Sequence, residues 1–220
     1  MTVRRFELLV FDWDGTLMDS AAAIVASLQA ACHDLGHPAP TDAQARYVIG
    51  LGLHDAMRHV LPQIEPSEYP QFLQRYRAHY LLRDEDTGLF DGAGRLVGEL
   101  NQAGFTLAVA TGKSRRGLDR ALAATGLAGC FHATRCADEG HSKPHPGMLE
   151  SLMCALEAVP EKTLMIGDTT HDMAMAQNAR VARVAVTYGA HPRSELERFE
   201  PLACVDAISD LHAWLLAHAS

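Results

Sequence analysis

Several features that would each have pointed to a function are scarce or missing in this chain. Its five cysteines, Cys32, Cys130, Cys136, Cys154 and Cys204, are odd in number, widely spaced and without a C-x-x-C pair. That pattern excludes a disulfide framework and a cysteine-based zinc site, and reads as buried small hydrophobes in a reducing cytoplasm. The twelve histidines are scattered and form no H-E-x-x-H pair. Positive charge is short as well: 19 lysines and arginines face 27 acids, for a net charge of -8, and lysine occurs only at 113, 143 and 162. A nucleic-acid partner, which needs a basic face, is not expected. No uncharged apolar run reaches the length of a membrane span, so no membrane association is expected. Arg4 and Arg5 precede an apolar run, but Glu7 and Asp12 interrupt it, which argues against a signal peptide. There is no internal repeat and no low-complexity segment.

What is present is the hydrophobic content of an ordinary globular protein, 48% of 220 residues, arranged in two patterns. The run Leu8-Leu9-Val10-Phe11 predicts a buried strand over 6–11. From Asp19-Ser20 to Gly36 the periodicity is helical, with Ile24, Leu28, Ala31 and Leu35 on one face and Asp19 or Ser20 as cap. Further helices are predicted from Thr41 or Asp42 to Val48, over 54–61 and over 67–82, the last carrying Tyr69, Phe72, Leu73, Tyr76 and Tyr80 at helical spacing as its packing stripe. No strand signal occurs between 20 and 88, a stretch too long for a loop. Beyond residue 88 helices and strands alternate: helices at 93–103, 114–125, 147–158, 171–179 and 208–218, strands at 105–110, 131–134, 163–166 and 181–186. Short apolar strands separated by helices predict a doubly wound parallel sheet covered on both faces. The expected organisation is an α/β core of residues 1–16 and 89–220, with an all-helical domain, 17–88, inserted in it.

Three of the predicted strands end in polar motifs: Asp12-x-Asp14, Thr111-Gly112-Lys113, and Gly167-Asp168-x-x-x-Asp172. A fourth motif, Ser142-Lys143-Pro144-His145-Pro146, lies in a loop before a helix. The carboxyl ends of parallel strands share one edge of the sheet, so these groups are expected to converge. Together they suit phosphoryl transfer. Asp12 is the candidate nucleophile and Asp14 the candidate acid and base. Asp12 and Asp168 offer hard oxygens for Mg²⁺. Lys143 supplies a fixed positive charge, while Thr111, Gly112 and Lys113 are placed to hold phosphate oxygens. Asp172 is expected to stand behind the metal, orienting its water or Lys143.

Taken in order, D-x-D-G-T at Asp12, Asp14, Gly15 and Thr16, the hydroxyl of Thr111, the K-P-x-P lysine Lys143 and the G-D-x-x-x-D run resemble the haloacid dehalogenase superfamily in its phosphatase branch. The helical insertion is similar to the cap of its phosphoglycolate phosphatase-like subfamily, so the resemblance spans essentially the whole chain. It implies a Rossmann-like core, a phospho-Asp12 intermediate, and Mg²⁺ held by Asp12, Asp168 and the backbone carbonyl of Asp14. It also implies a cap that closes over the substrate. Trp13 stands where the family usually has an aliphatic residue.

The expected activity is that of a cytoplasmic Mg²⁺-dependent phosphatase, monomeric or homodimeric, acting on a small phosphorylated metabolite such as phosphoglycolate. Competing readings are a sugar-phosphate mutase of the same fold, a 2-haloacid dehalogenase, and a non-catalytic binding module. The mutase needs a cationic grip in the insertion, for which Arg46, Arg58, Arg75, Arg77 and Arg83 are the available residues. The dehalogenase needs neither metal nor a proton donor. Arg115 and Arg116 read as a solvated helix start, His171 as an exposed one, and Asp168 and Asp172 also as helix-capping acids. The glycine-flanked turn Gly50-Leu51-Gly52-Leu53 is a candidate for selecting the substrate.

Overall fold

Strand β1 (Leu8–Phe11) is buried along its whole length, as four consecutive apolar residues require when a sheet is covered on both sides. It lies at the centre of six strands in the order β3-β2-β1-β4-β5-β6, every neighbouring pair parallel. The others are β2 (Thr106–Thr111), β3 (Ala133–Cys136), β4 (Thr163–Gly167), β5 (Ala182–Val186) and β6 (Cys204–Val205). This is a computed structural model, and it describes residues 4–84 and 87–219. The expected assignments of 1–3, 85–86 and 220 lie outside the described residues.

Four α-helices follow β1 before residue 88: α1 (Ala21–Asp34), α2 (Asp42–Tyr47), α3 (Leu53–Val60) and α4 (Tyr69–Asp84). They share an apolar cluster built around Leu28, Cys32, Met57, Leu61 and Phe72. The helices that follow flank the sheet: α5 (Ala93–Gln102), α6 (Arg115–Thr125), α7 (Gly147–Ala155), α8 (Thr170–Asn178), the short α9 (Arg193–Leu196) and α10 (Ile208–His218). Alternation within the strands separates the two faces. Leu9, Phe11, Leu107, Val109, Leu164 and Ile166 pack with α5, α6 and α10, whereas Leu8, Val10, Ala108, Ala110 and Met165 pack with α7 and α8. Trp13 extends the first face; it is fully buried, with its Nε1 donating to Met18 Sδ and its ring edge-on to Phe131.

The two crossings between sheet and helical insertion run side by side. Asp19 N donates to Gly88 O and Phe90 N to Leu17 O, both at 2.9 Å, and Met18 bridges Leu89 in antiparallel fashion.

The structure corrects several local expectations. Ser20 occupies the cap position of α1, but its hydroxyl is turned away from the helix toward Asp14. Thr169 caps α8, so Asp168 is no cap and Asp172 is the third-residue partner of a capping box. Strand β3 begins two residues later than predicted, and β6 and α9 were not predicted at all. Of the cysteines, Cys32 and Cys136 are buried and Cys130 and Cys204 partly so, whereas Cys154 is exposed on α7.

Candidate functional site

The strand order reverses between β1 and β4, and the crevice beyond their carboxyl ends is where an open α/β sheet places ligands. Asp12 stands at the end of β1, its N–H donating to Ile166 O of β4 at 2.9 Å. The chain then turns sharply. Gly15 has φ 80°, and a β carbon there would collide with the Asp168 carboxylate. Only glycine combines that backbone with that approach. The next residue, Thr16, donates its hydroxyl to Asp168 Oδ1 at 2.9 Å, while Ala190 N donates to Oδ2 at 2.8 Å. Asp168 is thus pinned at both oxygens.

Lys143 is the buried cation of the site. Its Nζ is 2.8 Å from Asp12 Oδ1 and 2.7 Å from Asp172 Oδ1, all three side chains being fully buried. The other oxygen of Asp172 accepts from Thr169 N (3.1 Å) and Thr169 Oγ1 (2.6 Å). One carboxylate therefore closes the start of α8 and holds the lysine. On the other side, Asp14 Oδ1 receives the Ser20 hydroxyl at 2.6 Å and the Lys113 ammonium at 3.0 Å. Thr111, buried at the end of β2, accepts from Lys113 N at 3.2 Å, which leaves its own O–H free to donate. The turn 50–53 comes down onto this edge. A β carbon on Gly112 would collide with the carbonyls of Gly50 and Leu51, and Gly52 N donates to Ser142 Oγ at 2.8 Å.

The donor set suits a divalent cation. One carboxylate oxygen each from Asp12, Asp168 and Asp172 lie within 4.8 Å of one another. Asp12 Oδ1 is answered only by the Lys143 ammonium, and its Oδ2 is buried without a hydrogen-bond partner, a costly state for a carboxylate oxygen unless a cation answers it. Three carboxylates gather here while the one ammonium pairs with two of them, and Mg²⁺ prefers such oxygen ligands.

Titration of the site follows from this crowding. Burial, and then the charge of Asp172, push the Asp168 carboxyl up to about 7 against the hydrogen bonds from Ala190 and Thr16. Burial also raises Asp12 well above the ordinary carboxylate range; Lys143 opposes that, and Asp172 and Asp168 add to it. A carboxyl raised in the folded state contributes stability that is complete below the unfolded pKa and is lost as pH rises through the folded one. Burial lowers His171 to about 4 and lowers His191 too, and such histidines act in the opposite sense only below about pH 6.5. In EDTA the thermal midpoint should therefore fall between about pH 6.5 and about pH 8.5, and Mg²⁺ should raise it most at the alkaline end. A midpoint that climbs through that window without metal would contradict the assignment.

All the residues expected at the site, Asp12, Asp14, Thr111, Gly112, Lys113, Lys143, Asp168 and Asp172, reach this edge. Arg115 does not; it pairs with Glu139 (2.9 Å) and Asp119 (3.1 Å), and Arg116 is exposed. His171 is a correction. It is buried, and its Nε2 donates to Tyr47 O at 2.7 Å, beside His191 Nε2 donating to the same carbonyl at 3.0 Å. Desolvation under α2 is the cause. Ser20 and Ala190 were missed. Ala190 follows β5 and so shares the active edge, which its position could have revealed; its backbone N–H carries no sequence signal. The stripe Tyr69–Tyr80 reads first as packing and second as a source of a ring at the pocket; the hydroxyl of Tyr80 accepts from Lys113 at 2.9 Å.

Comparison with known proteins agrees with this geometry. The family model for haloacid dehalogenase-like hydrolases matches residues 9–186. The chain is 35% identical over 209 residues to the probable phosphatase IndB of Dickeya dadantii, covering 93% of this chain and 91% of that protein. It is 31% identical over 212 residues to the pyrophosphatase PpaX of Bacillus mycoides, covering 94% and 95%. A hydrolase from Pseudomonas syringae has the same fold, with a TM-score of 0.89 at 22% identity over 97% of this chain and 100% of that one. The chain belongs to the haloacid dehalogenase-like hydrolase family.

Proposed function

We propose that this hydrolase is a Mg²⁺-dependent phosphatase that cleaves a small phosphorylated metabolite through a phospho-Asp12 intermediate. The observation that carries the reading is the Asp12 carboxylate, fully buried, with Oδ1 on the Lys143 ammonium, Oδ2 without a hydrogen-bond partner, and Asp168 beside it.

Asp12, Asp168 and the backbone carbonyl of Asp14 would hold the ion, with Asp172 behind them. When bound, Mg²⁺ neutralises phosphoryl charge and aligns the ester with its attacker. Asp12 attacks phosphorus and the bond to the leaving oxygen breaks as Asp14 hands it a proton. Asp14 then takes a proton from water, which attacks the aspartyl-phosphate and restores Asp12. Ser20 and Lys113 both engage Oδ1 of Asp14, which leaves Oδ2 to carry that proton. The Lys143 ammonium, the Thr111 hydroxyl and the Gly112 N–H bind the transferring oxygens. The segment 17–88 serves as the cap, and its 50–53 turn excludes water from the edge of the sheet. Free cysteines and the lack, among the described residues, of any helix long and apolar enough to cross a membrane support a cytoplasmic setting.

Purified protein supplied with Mg²⁺ should release phosphate from at least one member of a panel of small phosphate esters, and EDTA should stop it. No release from any ester would overturn the reading. Asp168→Asn should raise the Mg²⁺ concentration for half-maximal rate by roughly 10- to 100-fold, with activity recovered at high Mg²⁺. Failure to recover at any concentration would count against Asp168 as a ligand.

A further inference from the structure

Resting on the phosphatase reading, and deepening it, we propose that Lys113 and Tyr80 select substrates whose leaving group is short and itself anionic, gripping that anion beside the bond to be cut.

Lysine 113 is the cation on the leaving-group side. Of the two other lysines, Lys143 is committed to Asp12 and Asp172, and Lys162 pairs with Glu7 at the amino-terminal end of the sheet. The Lys113 ammonium lies 3.0 Å from Asp14, the group that protonates the leaving oxygen, so an anion reaching it belongs to the departing fragment and not to the transferred phosphoryl group. Its side chain is only 10% exposed. A desolvated ammonium binds an anion far more strongly than one in water. It has three N–H donors. One is directed to Asp14 and one to Tyr80 Oη at 2.9 Å, with the Tyr80 ring 4.8 Å away. The third remains for the substrate.

The surroundings limit size. Tyr80 is itself buried, and Tyr76 stacks on it at 6.0 Å, so helix α4 presents a wall of aromatic rings here. The nearby Arg120 is held by Asp84 at 2.8 Å, and Arg75 and Arg77 of the same helix are exposed. The carbonyls of Gly50 and Leu51 close against Gly112 on the adjoining side. A carboxylate or a second phosphate one or two bonds from the scissile oxygen meets these conditions; a long or neutral fragment forgoes the ammonium.

Ethyl phosphate, phosphoglycolate and pyrophosphate separate the possibilities, because the first lacks the second anion that the other two carry as carboxylate and as phosphate. In wild-type protein kcat/KM should favour at least one acidic substrate over ethyl phosphate by about 10- to 100-fold, the range for a hydrogen bond to a charged group. Lys113→Met should reduce that ratio at least about tenfold and Lys113→Arg should keep most of it. Which acid loses the most identifies the anion. Equal rates on all three esters in wild type, or an equal loss on all three in Lys113→Met, would overturn the proposal, the latter by showing that Lys113 only orients Asp14. Should Lys113→Met not fold, the wild-type ratio and Lys113→Arg decide. Failure of every ester, ethyl phosphate included, would instead strike the phosphatase reading.

Discussion

Asp12→Asn should leave a folded protein whose turnover is lower by roughly four to six orders of magnitude, the scale seen when an attacking side chain is removed. The two side chains have nearly the same shape, so packing around β1 is retained. The amide cannot act as the attacking oxygen. Stability should hold or rise, because the substitution removes one of three carboxylates crowded against one another. The ammonium keeps Asp172 at 2.7 Å as its partner. The measurement pairs phosphate release with a thermal melt. Turnover within tenfold of wild type would dismiss position 12 as the nucleophile, and a collapsed melt would show that the charge had a structural task.

Lys143→Met should have the largest effect on stability. Among the described residues its Nζ is the only ammonium in contact with two fully buried carboxylates, and removing one partner of a buried ion pair costs about 3–5 kcal/mol. The cost arises from the acids left behind, so it depends on their ionisation. At about pH 8 without metal it should appear in full. At about pH 5 the raised Asp12 and Asp168 carboxyls are protonated, and the loss should shrink. Activity should drop as well, since nothing else supplies that fixed charge to the phosphoryl group. Equal melting of wild type and variant at alkaline pH would refute the electrostatic account of this lysine.

The convergence of the candidate site was legible because its residues sit where chain direction changes. An acid after a buried apolar run, as at Asp12 and Asp168, is conspicuous, and parallel strands bring such ends to one edge without further information. The insertion was legible because its helices keep an apolar stripe of their own, centred on Leu28, Met57 and Phe72. Strand β6 was not, because two residues carry no alternation. His171 was misplaced because its burial is imposed by Tyr47, a residue remote in sequence. Lys113 was expected at this edge of the sheet, but its contacts with Asp14 and Tyr80 were not. A cross-chain ion pair leaves no periodic trace.

The paired crossings at Leu17–Asp19 and Gly88–Phe90 have a mechanical implication. Two strands tied to each other by backbone bonds resist being pulled apart far more than they resist twisting, so they restrict the helical body to a swing about a narrow pivot. On the cap reading proposed above, Tyr80 and the 50–53 turn would travel together. Admission of the ester and the arrival of Tyr80 beside Lys113 would then be a single event, timed by one axis.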